Sequence, residues 1–220
     1  MPTFSEKSFN FAYLFKNITT RWYFYVIALA FIAFVILSVV LLRKRTQRNS
    51  LSRTQKIAYT AILSALCFVG NAITIPVSSL FQISFIATFG FIAGCMLGPG
   101  LGFASAFIGD FLCAIIFPLG PYSPIINVGT ALWGYIPGMI FAISRKKEIF
   151  NIALAFILGF ILNSFCVNTV GLTLMYSTPF EELLILLPGK FLVVAINFGL
   201  SVGVYDVLKR VLPKDKFHLN

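Results

Sequence analysis

Charged residues are scarce in this sequence, and the residue patterns of catalysis are absent. Only 11% of the 220 residues are Asp, Glu, Lys or Arg, and the one histidine is His218 near the C-terminus. No H-E-x-x-H, clustered carboxylates or nucleophile beside a base occur. The phosphate loop G-x-x-x-x-G-K-[ST] is also missing, because Gly189-Lys190 lacks the earlier glycine and the Ser/Thr. These absences argue against an enzyme, and any ATP energy must come from another chain.

Paired cysteines are a second absence. The chain has four cysteines, which lie far apart in apolar stretches: Cys67, Cys95, Cys113 and Cys166. Neither a disulfide framework nor a zinc pattern such as repeated C-x-x-C follows from these positions. The cysteines are therefore predicted to be small buried apolar residues, and the sequence implies no metal and no cofactor of its own.

Apolar residues dominate what is present. They make up 59% of the chain, and the mean hydropathy is +0.92. Several stretches approach the roughly 20 residues that a helix needs to cross a bilayer, and none shows strand-like alternation. The sequence predicts an all-α integral membrane protein with spans at 22–42, 54–72, 83–98, 101–117, 125–143, 150–172 and 186–208.

The first apolar span is set apart from the other six by a charged linker. It is too long for the core of a signal peptide, and no small-residue cleavage site follows it, so it is predicted to be retained. The expected organisation is a polar segment at 1–21, an extra transmembrane helix at 22–42, a basic cytoplasmic linker at 43–53, a six-helix substrate-binding membrane domain at 54–212 and a tail at 213–220.

The formal net charge of +10 comes from basic patches between the spans. The patches lie at 43–56, at Arg145 to Lys147 and after residue 208, without a nucleic-acid-binding motif. Because basic residues collect in short cytoplasmic loops, these patches predict the inner side of the membrane. The connections 73–82, 117–124 and 173–185, with Glu181 and Glu182, then lie outside, and a nucleic-acid partner is disfavoured.

Small residues recur every three or four positions in three of the spans. Gly90, Gly94 and Gly98 form one series, and Gly102, Ala106 and Gly109 form another. Helices in lipid associate through close backbone approach at small residues, so both faces are predicted to pack within the bundle. A third stripe, which could face either the bundle or a partner helix, consists of Ala58, Ala61 and Ala65.

Polar residues inside the spans are the candidates for a binding site, since their burial in lipid is costly. Asp110 is either a structural carboxylate or a ligand contact, and Lys190 either extends to the interface or attracts an anion. Trp133 and several polar groups on the last three spans either bind a small aromatic molecule or join helices: Asn127, Thr130, Asn163, Asn168 and Asn197.

One stretch of about 40 residues resembles a known family. From Leu97 the chain reads LGPGLGFASAFIGDFLCAIIFPLGPYSPIINVGTALWGYIPGM, with a Gly98-Pro99 turn, a small-residue helix, Asp110 and a proline-rich loop from Phe117 to Pro124. This resembles the substrate-binding S components of energy-coupling factor (ECF) transporters, particularly the folate-type family. The segment that ends in Lys190 is similar to the start of that family's last helix, where a basic residue is usual.

The resemblance implies a fold, partners and a mechanism. An S component is a six-helix bundle in the plasma membrane of a prokaryote that binds a vitamin near the outer face, under the loop between its first two helices, here 73–82. It then reorients in the membrane, driven by a transmembrane T component and two cytoplasmic ATPase subunits that use the ATP. The alanine motif Ala61-x-x-x-Ala65 is expected to contact the T component, and Ala58 lies on the same stripe.

The expected ligand is a folate-like vitamin, with pantothenate, riboflavin or a queuosine precursor as alternatives. Ser123 and Ile125 stand where the family more often has an aromatic residue and a glycine. A self-sufficient carrier that uses Asp110 for proton coupling and a scaffold without ligand are the rival hypotheses. The predicted substrate-binding residues are Lys190, Trp133, Asn163, Phe117, Tyr122, Asn127, Thr130, Asp110 and Gln82.

Overall fold

The computed structural model describes residues 22–43, 51–78, 81–118, 122–144, 147–176 and 185–211. The polar segment 1–21, most of the basic linker, the basic residues 145–146, the acidic pair 181–182 and the tail from 212 lie outside the described residues. The elements in chain order are α1 (Trp22–Arg43), α2 (Arg53–Ala72), β1 (Ile75–Ser78), β2 (Phe81–Ile83), α3 (Ile86–Leu97), α4 (Pro99–Ile116), α5 (Pro124–Ile143), α6 (Glu148–Gly159), a π-helical segment (Phe160–Val167), α7 (Asn168–Tyr176) and α8 (Leu187–Val211).

The prediction of an all-helical membrane bundle with one extra N-terminal helix is confirmed. Within the described residues, five helical stretches are long and apolar enough to cross a membrane: α1, α4, α5, the continuous run of α6 through α7, and α8. The predicted spans 54–72 and 83–98 do not meet that criterion. α3 has only 12 residues, or about 18 Å, against a hydrocarbon thickness of about 30 Å.

α3 is short because the chain before it forms a β-hairpin. The predicted span 83–98 began at Ile83, which instead ends β2 and pairs with Ile75 of the antiparallel strand β1. Alternate β-branched residues in Thr74-Ile75-Pro76-Val77 favour an extended chain, and Pro76 is tolerated because the pair has only edge strands. The backbone N–H of Phe85 donates to the Gly70 carbonyl (2.9 Å), which closes the base of the hairpin onto α2.

Glycines bring α3, α4 and α5 into backbone contact. A Cβ added to Gly102 would lie 2.6 Å from the Gly94 Cα, and one added to Gly138 would lie 2.5 Å from the Pro99 nitrogen. Gly98 turns the chain between α3 and α4 with a positive φ of 85° that other residues rarely adopt. The predicted packing of the glycine series inside the bundle is thus confirmed, and it joins three helices rather than two.

The predicted span 150–172 is a helix with a π-helical interior. Eight residues, Phe160–Val167, follow the wider π turn between α6 and α7. The Thr169 hydroxyl donates to the Ser164 carbonyl five residues earlier (3.2 Å). Such segments are rare and often occur at functional sites, because they redirect the side chains that follow them.

α1 packs on the outside of this bundle. Its Ser38 side chain is 1% exposed and forms a 2.7 Å hydrogen bond between Oγ and the Tyr135 hydroxyl of α5. The Phe34 ring meets Tyr135 edge-on at 6.5 Å between centroids. Most other α1 side chains are exposed and apolar, as expected for a helix that faces lipid.

The two ends of the bundle have different chemistry. We name the end with the hairpin, the last turn of α4 and the first turns of α5 and α8 the hairpin end, and the end with Arg53, Lys147 and Lys209 the basic end. At the basic end, Lys209 of α8 forms an ion pair with Glu148 of α6, and Arg210 pairs with Asp206 at 2.5 Å. Acidic and basic side chains are therefore satisfied by each other there.

Candidate functional site

At the hairpin end, buried polar atoms lack partners. Among the described residues, no hydrogen bond reaches either amide atom of Asn127, Oδ1 of Asn168, Oγ1 of Thr173 or Nζ of Lys190. Burying a polar group without a partner costs roughly 1–3 kcal/mol, so proteins rarely retain several of them without use. These groups lie on α5, α7 and α8, and they are the strongest indication of a ligand site.

Close packing between α5 and the continuous helix of α6, the π-helical segment and α7 keeps Asn127 and Thr173 at the same end of the bundle. A Cβ on Gly129 would lie 2.6 Å from the Asn163 side chain, and one on Gly171 would lie 2.9 Å from the Ile126 side chain. The start of α5 therefore runs beside α7. Since Asn127 is in the first turn of α5 and Thr173 is near the end of α7, both occupy the hairpin end.

Lys190 brings the only cation among these unpaired groups. It is the fourth residue of α8, and its side chain is 9% exposed. Neither ion pair in the described part of the chain includes it. A lysine that merely extended to the lipid interface would expose its amine to water, so this burial favours the anion-binding interpretation.

Trp133 and Asn163, both predicted to line the pocket, lie side by side and bond to each other. With the Asn163 amide oriented to suit its neighbours, its Oδ1 accepts from Trp133 Nε1 (2.6 Å) and its Nδ2 donates to the Gly129 carbonyl (3.1 Å). The indole packs against Gly159 and against the Phe156 ring, at 5.5 Å between centroids. Both polar groups are thus satisfied within the protein, and a bound molecule would meet mainly their apolar surfaces.

A hydrogen bond joins Asp110 of α4 to α2. Asn71 Nδ2 donates to its Oδ1 (2.7 Å), and the Thr130 side chain of α5 lies beside the carboxyl group. The single hydroxyl proton of Thr130 is donated to the Ile126 carbonyl (3.1 Å). The carboxylate therefore has a partner on α2, in contrast to Lys190, which has none among the described residues.

The other predicted residues at this end are exposed. The Phe117 ring stacks on Phe68 at 6.0 Å, and the Tyr122 ring meets Phe111 edge-on at 5.5 Å. Partial burial of the phenol and, secondarily, the charge of Asp110 raise the pKa of Tyr122. Gln82 lies on β2 opposite Pro76. These contacts link the loops at the hairpin end to α2 and α4.

The alanine stripe on α2 is on the surface. Ala58, Ala61 and Ala65 are exposed, and so are Ile57 and Ile62 beside them, the former by 65%. α2 therefore presents a small-residue face that no helix in the described part of the chain covers.

Two of the unpaired groups were not in the predicted site. Asn168 was noted as a polar residue in a span, and Thr173 was overlooked because the predicted span ended at residue 172. The helix in fact continues to Tyr176, which puts Thr173 inside it, with a buried side chain. A polar residue within an apolar run is the signal that the sequence offers. The predicted span ends at residue 172, a few residues too early, so it excludes Thr173.

Family comparison decides what kind of bundle this is. A family model described as "ECF transporter, substrate-specific component" matches residues 55–207, which is more than half of the chain. The chain belongs to this family. It is therefore a multi-pass cell-membrane protein and a transporter subunit rather than an enzyme, as the sequence predicted. α1 and the linker after it precede the matched region.

A solved structure has the same fold. The chain is similar to the crystal structure of FolT bound with folic acid, with a TM-score of 0.57 and 22% sequence identity over 69% of this chain and 91% of that one. At this identity the likeness establishes the S-component fold alone. Among curated proteins, none has a significantly similar sequence.

Proposed function

We propose that this S component captures a folate-like vitamin on the outer side of the membrane, in a pocket at the hairpin end between α5, α7 and α8. The observation that carries the proposal is the set of buried polar atoms without partners on these three helices. A ligand with hydrogen-bonding edges and an anionic group would supply the missing partners. The similarity in fold to FolT, whose structure contains folic acid, supports the same class of ligand.

Each group has a proposed role in binding. The Lys190 amine is paired with a carboxylate of the ligand, and the free amide of Asn127 binds a donor–acceptor edge. Asn168 and Thr173 provide further contacts from the third helix. Trp133, held by Asn163, forms an apolar wall, while Phe117, Tyr122, Thr130 and Gln82 act around the entrance.

Ligand binding by the purified chain tests this proposal. Folic acid should bind without ATP in calorimetric titration, and Lys190→Ala should weaken it at least about thirtyfold, because removing one member of a buried charge pair costs about 2 kcal/mol or more. Lys209→Ala, on the same helix but at the basic end, is the matched control and should leave affinity unchanged. Equal affinities for wild type and Lys190→Ala would contradict the pairing.

The same titration separates the alternative vitamins. Pantothenate also carries a carboxylate, whereas riboflavin does not, so only a carboxylate ligand should lose affinity in Lys190→Ala. Mass spectrometry of the molecule that remains bound after purification in mild detergent would name the ligand directly. If the bound molecule is a neutral flavin with the same affinity for wild type and Lys190→Ala, the folate-like assignment is wrong.

Delivery requires partners in the proposed mechanism. The family implies that the loaded subunit reorients when a transmembrane T component and two ATPase subunits act on it. We assign the contact with the T component to the exposed stripe of Ala58, Ala61 and Ala65, because small residues permit close helix approach in lipid.

Co-purification tests the partner contact. Ala61→Leu with Ala65→Leu should reduce the amount of T component that co-purifies with the chain, while folic acid binding is retained. Ala195→Leu, on the exposed face of α8, makes one such substitution on another surface and should have no effect. Undiminished co-purification of the double variant would remove this stripe from the interface.

A further inference from the structure

The two roots of the hairpin are attached to different helices. The first root is the end of α2, with Asn71, and the second is the start of α3, from Ser84 to Thr88. Asn71 bonds to Asp110 on α4, and the second root bonds to Asn197 on α8. The hairpin is therefore held by two separate polar contacts rather than by its own base alone.

Asn197 holds the second root through several hydrogen bonds. Its Nδ2 donates to the Ser84 carbonyl (3.0 Å), and its Oδ1 accepts from the Thr88 hydroxyl (2.7 Å) and from the Thr88 N–H (3.2 Å). The same amide also donates to the Val193 carbonyl of its own helix (2.9 Å). Asn197 is 0% exposed, so water cannot replace these bonds. The second root is thus fixed to α8.

The first root has fewer side-chain hydrogen bonds to a neighbouring helix. One side-chain bond, from Asn71 to Asp110, joins it to α4, and the Phe68–Phe117 stack lies one turn earlier. Asp110 and Asn71 are both half-buried rather than buried. A single partly accessible hydrogen bond opens more readily than a buried network, because local opening follows the number of buried contacts that must break.

Both contacts lie on helices that carry or adjoin the unpaired groups. Asn197 follows Lys190 by seven residues, or two turns, so the two occupy one face of α8 about 10 Å apart along its axis. Thr130, the second neighbour of Asp110, follows Asn127 by three residues on α5. Movement at either root is thus transmitted to a helix of the proposed pocket.

We propose that Asn197 and Asp110 are positioning residues for the hairpin: Asn197 anchors its α3 root permanently, and Asp110 is a releasable latch on its α2 root. The hairpin then opens by swinging about the Ser84–Thr88 side while residues 72–78 move away from α4. This inference rests on the proposed function only in that the hairpin covers the ligand; the two contacts themselves can be tested without any ligand.

Hydrogen–deuterium exchange of the ligand-free full chain tests the two contacts. In Asp110→Ala, amides 72–78 should exchange at least about tenfold faster, while residues 84–88 keep the wild-type rate, because the lost bond is charge-assisted and local. Asp110→Asn keeps an oxygen acceptor for Asn71 and should restore most of the protection. Asp206→Asn, at the basic end, controls for loss of a carboxylate elsewhere.

Thr88→Val tests the anchor without removing Asn197. It deletes one hydroxyl at nearly constant volume, and it should accelerate exchange at 84–88, with 72–78 following because the pivot is loosened. Unchanged exchange of 72–78 in Asp110→Ala, or equal acceleration of both roots in that variant, would overturn the assignment.

A second measurement links the latch to binding and keeps the two proposals separable. If folic acid binds, Asp110→Ala should release it at least about tenfold faster in a stopped-flow chase, with Asp110→Asn close to wild type. If amides 72–78 exchange faster in Asp110→Ala but the protein does not bind folic acid, the role of Asp110 as a latch is supported and the folate-like ligand is rejected. An unchanged release rate in a variant with faster exchange would show that the hairpin does not control the site, and would reject its role as the cover.

Discussion

The two halves of this bundle use buried space in opposite ways. On the side of α3, α4 and α5, glycines remove side chains so that backbones touch, and a methyl group has no room at Gly94, Gly102 or Gly134. On the side of α5, α7 and α8, buried polar atoms at the hairpin end lack partners within the described residues. The first half gains stability from packing, whereas the second retains groups that cost stability, and α5 belongs to both.

This difference teaches where to look for function in a membrane bundle. Small residues at regular spacing are common to many helix interfaces and identify a scaffold. Polar groups that remain unsatisfied inside the same fold require a reason, and a ligand is the simplest one. Substitutions should therefore fall into two classes: those in the glycine half lower stability, and those in the polar half lower binding.

The largest expected effect is in the glycine half. Gly134→Ala would force a methyl group into the Gly102 carbonyl, so it should destabilise the protein by about 3 kcal/mol or prevent folding. Gly203→Ala on α8 has open space around it and should be neutral or slightly stabilising. Thermal unfolding in detergent with a folded-fraction assay compares them. Equal melting temperatures for Gly134→Ala and Gly203→Ala would contradict the role of the glycine half as a tightly packed scaffold.

A smaller effect of opposite sign is expected in the polar half. Lys190→Met keeps the length of the side chain but removes a buried charge that has no partner among the described residues, so the ligand-free protein should gain about 1–3 kcal/mol while folic acid binding falls. Lys209→Met, which breaks an ion pair near the basic end, should change stability by less than about 1 kcal/mol. A destabilised Lys190→Met chain with normal binding would mean that Lys190 is structural.

The smallest effect concerns α1, which lies outside both halves. Ser38→Ala should cost about 0.6 kcal/mol, the usual value of one hydrogen bond between helices in lipid. Tyr135→Phe should cost a similar amount, and the double variant little more than either, since both remove the same bond. Fully additive losses would show that Ser38 and Tyr135 do not form this bond in the membrane.

Much of the fold was predictable because its causes are local. Runs of apolar residues of spanning length predict transmembrane helices whatever their neighbours, and the predicted ends agree with α1, α2, α5 and α8 within a few residues. The sequence does not predict the hairpin, because residues 73–82 are short, contain Pro76 and are expected to be a connection between spans, and hydropathy alone does not identify so short a strand.

The site was predictable only in its residue types. The sequence singles out Lys190, Asn127, Trp133 and Asn163 because polar groups are costly in apolar spans. Which of them bond to each other depends on helix rotation and on the π segment, neither of which has a clear local signal. Trp133 and Asn163 accordingly turned out to be partners, while Lys190 has none among the described residues.

The sequence by itself determined the membrane class, the positions of the helices, the small-residue faces and the family, since hydropathy, spacing and motif are properties of the chain. Tertiary structure alone decided which polar groups are satisfied, because a hydrogen bond depends on the distance and angle between atoms on separate helices. It separated the bonded residues Asp110, Asn163 and Asn197 from the unpaired residues Asn127, Thr173 and Lys190.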